Sequence, residues 1–243
     1  MELLTGRQPV REALRAGRPI KRLLVADGAQ SKGVLAEILD LAHAAGVRVE
    51  RVPRRLMDER AGDAVHQGVL AETTPYRTRS WREGLERARK AGKVPLLLAL
   101  DGIEDPQNAG ALIRSAEVFG VDAVLLPKRR SAPLSHVTAK ASAGAIEHLV
   151  IDVVSNLERA LADCKDEGIW ILSLAADAKG TIEACPLISE PVLVVVGAEG
   201  TGVSSLIRKR SDAVVRIPTR GKVASLNASV AGAICLYEVA KNR

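Results

Sequence analysis

Residues 105 to 120 read DPQNAGALIRSAEVFG, and Arg114 stands in the middle of them. Its neighbours Ala109, Ala111, Leu112, Ile113, Ala116, Val118 and Phe119 are small or apolar, as a core-facing helix requires. A guanidinium is costly to bury without a partner, and it keeps its charge under all ordinary conditions. Such a group can orient an anion or steady an oxygen that is gaining negative charge. On helical periodicity alone, an ion pair with Glu117 at the helix surface is an equal alternative. Asp105 suits the N-cap and Pro106 the first helical position. Asn108 precedes Arg114 by six positions, so the two lie about 120° apart around the helix. If they cooperate, Asn108 acts from the helix entrance; otherwise it bonds free backbone groups of the first turn.

Two further segments mix glycine with polar groups. GAEGTGVSS (197–205) directly follows the apolar run PVLVVV, and IPTRGKVASLNAS (217–229) leads into the last helical stretch. Neither is a standard nucleotide motif: there is no GxGxxG opening a helix after a strand, and no GxxxxGK[ST]. Glu199 would repel an anion, so a ligand that is neutral or cationic at its working end fits better beside it. Ser225 suits the N-cap of the last helix. The KRR run (128–130) is placed either for phosphate contact or as a solvated turn. The four histidines do not cluster, and no metal-ligand spacing is present, so no metal is expected. Cys164, Cys185 and Cys235 are odd in number, far apart and in no CxxC arrangement, which reads as reduced thiols.

These segments need a scaffold, and the pattern supplies one. From residue 81 onward, helical stretches such as WREGLERARKAGK, NLERALADCKDEG and 226–240 alternate with apolar runs. The runs are VPLLLALDG, VDAVLLP, HLVIDVV, IWILSLAA, PVLVVVGAEG and DAVVRIP, with one more helix near 135–143. Continuous apolar strands between helices predict a parallel α/β sheet covered on both faces. The three polar segments then fall in loops beyond the carboxyl ends of strands, where such sheets bind ligands. Before this part, KRLLVA, VRVERV and HQGVLAE read as strands, and 31–46 and RRLMDERAG as helices, which makes a small α/β domain. TTPYRTRS is polar, contains proline and lacks periodicity, so it reads as the link. The expected organisation is an N-terminal domain over 1–73, a linker at 74–80, and a second domain over 81–243.

Composition narrows the classes further. Aromatic residues make up 2% of the 243, which argues against reading single-stranded RNA mainly by stacking bases on rings. The net charge is +6, and residues 1–93 carry 19 Lys and Arg against 12 Asp and Glu. All the basic excess therefore lies in the first two-fifths, so the N-terminal part is the one expected to meet a polyanion. No apolar run reaches the length of a membrane span and the start carries no apolar signal core, so a cytoplasmic location is expected.

The segments DPQNAGALIRSAEVFG, VVVGAEGTGVSSL (194–206) and IPTRGKVASLNASVAGAI (217–234) resemble, in order and spacing, the SpoU/TrmH family of RNA ribose 2′-O-methyltransferases. GRQPVREAL (6–14) and AVHQGVLAE (64–72) resemble the start and end of the small RNA substrate-binding domain found in one branch. That branch includes enzymes acting on a guanosine of 23S ribosomal RNA. The resemblance implies S-adenosylmethionine as the cofactor, a deep trefoil knot in the C-terminal part of the sheet, and homodimers packed through helices including the last. It places Arg114 at the family's catalytic arginine, usually proposed as a general base. We read it as orienting a ribose phosphate and stabilising the developing alkoxide, because arginine so rarely yields its proton. By the same resemblance Asn108, Glu199, Ser225 and Asn227 are catalytic residues, with Glu199 expected to hold Arg114 or the donor's positive end. Ser225 and Asn227 are expected to fix the ribose hydroxyl or Arg114. Gly197, Ile217 and Leu226 match the cofactor-binding positions.

The expectation is therefore an RNA methyltransferase with no DNA or membrane partner. Alternatives are the same chemistry on tRNA or another rRNA nucleotide, including antibiotic-resistance methylation, and a catalytically idle RNA-binding protein on this fold.

Overall fold

The computed structural model describes residues 2–223 and 225–243. They form two compact units, one of Met1–Arg77 with Leu134–His148, the other of Thr78–Pro133 with Leu149–Arg243.

The first unit carries a four-stranded sheet in the order β1-β4-β2-β3. Its strands are β1 (Glu2–Thr5), β2 (Ile20–Ala26), β3 (Arg48–Val52) and β4 (Val69–Thr73), and its helices α1 (Arg7–Arg15), α2 (Val34–Ala44) and α3 (Arg54–Ala61). β2 and β3 are parallel, while β4 runs antiparallel to both β1 and β2. β1, β2 and β3 thus share one direction, and each leads into a helix. Leu24, Met57 and Leu70 form one fully buried cluster between the sheet and α3. Five of these elements, β2, α2, β3, α3 and β4, match the strand and helix runs legible in the sequence. β1 and α1 carry no such run, because the strand is four residues long and α1 has only Pro9, Val10, Ala13 and Leu14 buried.

A short helix α6 (His136–Ala141) and a 3-10 turn at Ala145–Glu147 complete this unit. Periodicity places this helix in the alternation of the second domain, yet the residues that follow it pair with charges of the first unit. Arg18 Nη1 meets Glu147 Oε1 at 2.6 Å, with side chains 7% and 5% exposed. His148 Nε2 lies 2.9 Å from Glu12 Oε2. Burial raises the Glu147 carboxyl above its ordinary range, and Arg18 works against that shift. Pairings across more than a hundred residues leave no trace in a local pattern.

The second unit is a seven-stranded sheet in the order β7-β6-β5-β10-β8-β11-β9, parallel at every pairing. Its strands are β5 (Leu96–Asp101), β6 (Ala123–Pro127), β7 (Ile151–Val154), β8 (Trp170–Leu174), β9 (Gly180–Thr181), β10 (Val192–Gly197) and β11 (Ala213–Arg216). Its helices are α4 (Trp81–Lys90), α5 (Pro106–Val118), α7 (Leu157–Asp166), α8 (Ser205–Arg210) and α9 (Ala228–Lys241). β5 and β10 are buried at every position, as their unbroken Leu and Val runs require of central strands with both faces covered. Leu85, Leu97, Leu125, Leu161, Ile171 and Val195 belong to one core cluster on this sheet. The parallel α/β architecture expected from the alternation is the one observed.

α9 packs directly on α5 and β10. Gly232 permits the approach: a Cβ there would sit 2.3 Å from Leu112 Cδ2 and 3.1 Å from Val196 Cγ2. Gly232→Ala is therefore expected to destabilise the protein by about 1–3 kcal/mol through overpacking, read as a lowered midpoint in urea denaturation. An unchanged midpoint would mean that Leu112 swings aside at no cost.

Candidate functional site

β5, β10 and β11 end at the same edge of the sheet, and each of the three polar segments follows one of them. Asp105 opens α5 as foreseen: its carboxylate accepts from Gln107 N at 3.2 Å and Asn108 N at 3.0 Å, with Pro106 next. This cap fixes Asn108 in the first turn, half-buried. At the other opening, Asn227 caps α9, its Oδ1 accepting from Ser229 N at 2.9 Å and Val230 N at 3.3 Å. The close α5–α9 packing brings the two helix entrances together. Asn227 Nδ2 donates to Asn108 Oδ1 at 2.9 Å and approaches Glu199 Oε2 at 3.4 Å. One residue from each segment thus joins a single cluster.

The cap corrects one expectation: the N-cap of the last helix is Asn227, not Ser225. Ser225 lies two residues before it, exposed on the wall of the pocket described below. Arg114 is six residues beyond Asn108 on α5 and exposed. It has neither a hydrogen bond nor an acidic partner among the described residues, so it is not spent on Glu117. Nor does it pair with Glu199 or Asn227 in this chain; Glu199 faces Asn227 instead.

Beside the cluster, within the second unit, lies a pocket of about 350 Å³. Its wall includes the three residues expected to line a ligand site, Gly197, Ile217 and Leu226, together with Glu199 and Ser225. Gly197 ends β10 where the chain doubles back. Gly202 N donates to Ala198 O at 2.8 Å, and a Cβ on Gly197 would fall 2.1 Å from both Gly202 C and Val203 N. The returning loop is held by Asp101, at the end of β5, whose Oδ2 accepts from Ser204 N at 2.7 Å. Asp101 escapes sequence reasoning; its one sign is a carboxylate closing the otherwise apolar LLLALD. Arg208 also lines the pocket, but Asp177 occupies its Nη1 at 2.9 Å, and that guanidinium holds the Asp177 carboxyl below its ordinary range. The wall therefore offers apolar surface, backbone groups and the Glu199 carboxylate, with its one arginine neutralised. This suits a flat, partly apolar ligand carrying positive charge, and a volume of this size is typical of small-molecule sites.

No group of His, Cys, Asp and Glu among the described residues could hold a metal ion. All three cysteines are free and buried, and burial pushes the Cys164 and Cys235 thiols up to about 12, so neither is a thiolate nucleophile at neutral pH.

Residues 95–237 match the model of the SpoU rRNA methylase family. The chain belongs to this family. Residues 3–79 match the RNA 2′-O ribose methyltransferase substrate-binding domain. Among relatives of this SpoU protein, a Mycolicibacterium vanbaalenii protein named as a tRNA/rRNA methyltransferase is 41% identical over 242 residues, covering 100% of this chain and 77% of that one. A Staphylococcus saprophyticus protein named for the TrmH family of tRNA/rRNA methyltransferases is 38% identical, covering 99% of this chain and 96% of its own. In fold, the SpoU methyltransferase AviRb of Streptomyces viridochromogenes, crystallised with S-adenosylmethionine, superposes with a TM-score of 0.79 at 20% identity, covering 99% of this chain and 90% of that one. An rRNA methyltransferase of Sinorhizobium meliloti, also with S-adenosylmethionine bound, gives 0.78 at 23% identity over 99% and 87%. No helix among the described residues is long and apolar enough to cross a membrane.

Proposed function

We propose that this SpoU-family protein methylates a ribose 2′-hydroxyl of RNA with S-adenosylmethionine as donor, its target a guanosine of 23S ribosomal RNA. The observation that carries the reading is the meeting of Asn108, Glu199 and Asn227 at the rim of a pocket lined by Gly197, Ile217 and Leu226. When bound, S-adenosylmethionine supplies a sulfonium-activated methyl group. Glu199 would hold that positive charge, and the apolar Ile217 and Leu226 would hold the adenine. Asn227 and Asn108 fix the rim against which the ribose lies, with Ser225 as a hydroxyl partner. Arg114, without an intramolecular partner among the described residues, holds the substrate phosphate and stabilises negative charge on the attacking oxygen.

An idle RNA-binding descendant would have no need to keep Arg114, Glu199, Ser225 and Asn227 together. Ribosomal RNA is preferred to tRNA here because residues 6–14 and 64–72 resemble the domain of the branch that includes enzymes acting on 23S ribosomal RNA. We read the C-terminal part as knotted; the entry of β10 between β5 and β8 before α9 returns to α5 supports that route. Exposed Val118, Val230 and Tyr237 on α5 and α9 offer the apolar face a homodimer would cover.

The test is incubation with radiolabelled S-adenosylmethionine and separate rRNA and tRNA, then mapping of the alkali-resistant linkage. Label on a 23S guanosine is the expected result. Transfer only to tRNA overturns the substrate, and no transfer to any RNA overturns the enzyme.

Asn227 separates structure from chemistry within the site. Asn227→Asp keeps an N-capping oxygen but loses the donor to Asn108 and sets a second carboxylate near Glu199. It is expected to melt close to wild type while turnover falls about tenfold or more. Asn227→Ala loses the cap as well, costing about 1 kcal/mol of stability. Equal activity in Asn227→Asp and wild type would remove the bridge from the mechanism.

A further inference from the structure

The basic excess of the N-terminal unit is not spread evenly over its surface. Seven of its arginines, at 11, 15, 18, 22, 48, 55 and 60, are paired with carboxylates. Arg7, Arg51, Arg54 and Arg77 have no acidic partner among the described residues, and of these Arg7 and Arg54 line a depression of about 470 Å³ with Gln8, Val34 and Gln67. Arg7 is held to Gln67 by both side chain and backbone: its Nε donates to Gln67 O at 3.2 Å and its N to Gln67 Oε1 at 3.0 Å. Those bonds leave the two Nη groups unassigned. Arg54 is exposed and makes no hydrogen bond with another side chain among the described residues.

The topology explains why these residues meet. β1, β2 and β3 run in one direction, so the entrances of α1, α2 and α3 fall on a single edge, and β4 starts from that edge through His66, Gln67 and Gly68. Arg7 and Gln8 open α1, Val34 opens α2 and Arg54 opens α3, and none of the three helices has a side-chain cap. Their free amide groups add partial positive charge to that of the two guanidinium groups. His66 stiffens the edge: its Nδ1 accepts from Gly68 N at 3.0 Å and its Nε2 lies 2.8 Å from Asp58 Oδ1. It serves the frame and not the ligand.

We propose that this arginine-lined depression binds a backbone phosphate of the RNA substrate, with Arg7 and Arg54 as the charged contacts and Gln8 and Gln67 as polar ones. The proposal rests on the reading of the protein as an RNA enzyme, but it concerns a site in the other unit from the methyl-donor pocket. Phosphate contacts position a substrate without reading its sequence, so this edge sets the register of the RNA while the methyl-donor site does the chemistry.

The experiment uses the full chain and a fluorescein-labelled 30-nucleotide RNA stem–loop, with anisotropy read over a series of salt concentrations. Arg54→Gln and the double variant Arg7→Gln/Arg54→Gln are compared with Arg48→Gln, which makes the same charge change at the amino end of β3, the opposite edge. The double variant is expected to bind about tenfold or more weakly, with the slope of log affinity against log salt reduced by about 2. Arg54→Gln, which breaks no internal bond, should lose part of this without a change in melting temperature, and Arg48→Gln should stay within about twofold of wild type. Unchanged RNA binding in the double variant, or an equal loss in Arg48→Gln, overturns the proposal. Saturable binding of inorganic phosphate or AMP alone at this edge, with RNA affinity unaffected by the variants, overturns it in favour of a free phosphate ligand. S-adenosylmethionine affinity, measured in parallel, is expected to be unchanged in every variant, so loss of the methylation reading and loss of this site give different results.

Discussion

Arg114→Ala is expected to lower methyl transfer by about a hundredfold to a thousandfold while S-adenosylmethionine binds as in wild type. The argument rests on what Arg114 does not do. It is exposed, it has no carboxylate partner among the described residues, and the core side of α5 is filled by Ala109, Leu112, Ile113 and Ala116. Removing it opens no cavity and strands no buried charge, so the melting temperature should shift by less than about 2 °C. A group kept on a packed helix at no structural gain is one whose cost must be met by function. Arg114→Lys sharpens the assignment, since lysine keeps the charge but cannot form the planar fork that grips a phosphate. If Arg114 orients phosphate and shields an alkoxide, the lysine variant recovers only a small part of the lost rate. If methyl transfer by Arg114→Ala equals wild type, the residue has no part in the reaction. A fall in S-adenosylmethionine affinity with a lowered melting point would make it a structural residue.

The fold was legible where burial imposes a pattern. The runs LLLAL and VLVVV have no polar member because β5 and β10 are covered on both faces, and each is visible as a strand without any knowledge of its neighbours. The openings of α5 and α9 are visible for a similar reason: a cap is a local device, read from Asp105-Pro106 and from the Ser225 to Asn227 stretch. At α9 the sequence named Ser225 as the cap and Asn227 holds that place, because either side chain can accept from free amides and only the path of the preceding loop decides. The Asn108–Asn227 bond lay further out of reach. It joins residues 119 apart, and it depends on Gly232 letting α9 lie against Leu112 and Val196. Helical angles alone separated Asn108 from Arg114 correctly, but they could not name the partner that Asn108 takes instead. The placement of residues 134–148 with the first unit was hidden in the same way, since Arg18 and Glu147 each look like ordinary surface charges in the sequence. What local chemistry determines can be read from one segment; what a distant contact determines cannot.

Gly197→Ala carries the second large effect, and it should divide the site in the opposite sense from Arg114. The new Cβ would lie 2.1 Å from Gly202 C and Val203 N, both backbone atoms, so no side-chain rotation relieves the overlap. The 198–203 loop would have to move as a unit, yet it is held at both ends. Val203 is 8% exposed in the core of the sheet, and Ser204 N is tied to Asp101 at 2.7 Å. Overpacking of this kind costs about 3 kcal/mol, and if the loop yields to relieve it, the pocket wall at Glu199 and Gly200 shifts with it. S-adenosylmethionine affinity is then expected to fall about a hundredfold, since each 1.4 kcal/mol is a factor of ten. Isothermal titration reads the loss, and turnover follows it at sub-saturating donor. Gly200→Ala is the control in the same loop. Its φ of +82° makes alanine strained by about 1–2 kcal/mol, but nothing lies within 4 Å of the added carbon. That variant should melt lower and still bind the donor with near-normal affinity. Equal loss of affinity in both variants would show that loop strain in general, and not the close return of the chain over Gly197, shapes the pocket. Wild-type affinity in Gly197→Ala would place the donor elsewhere.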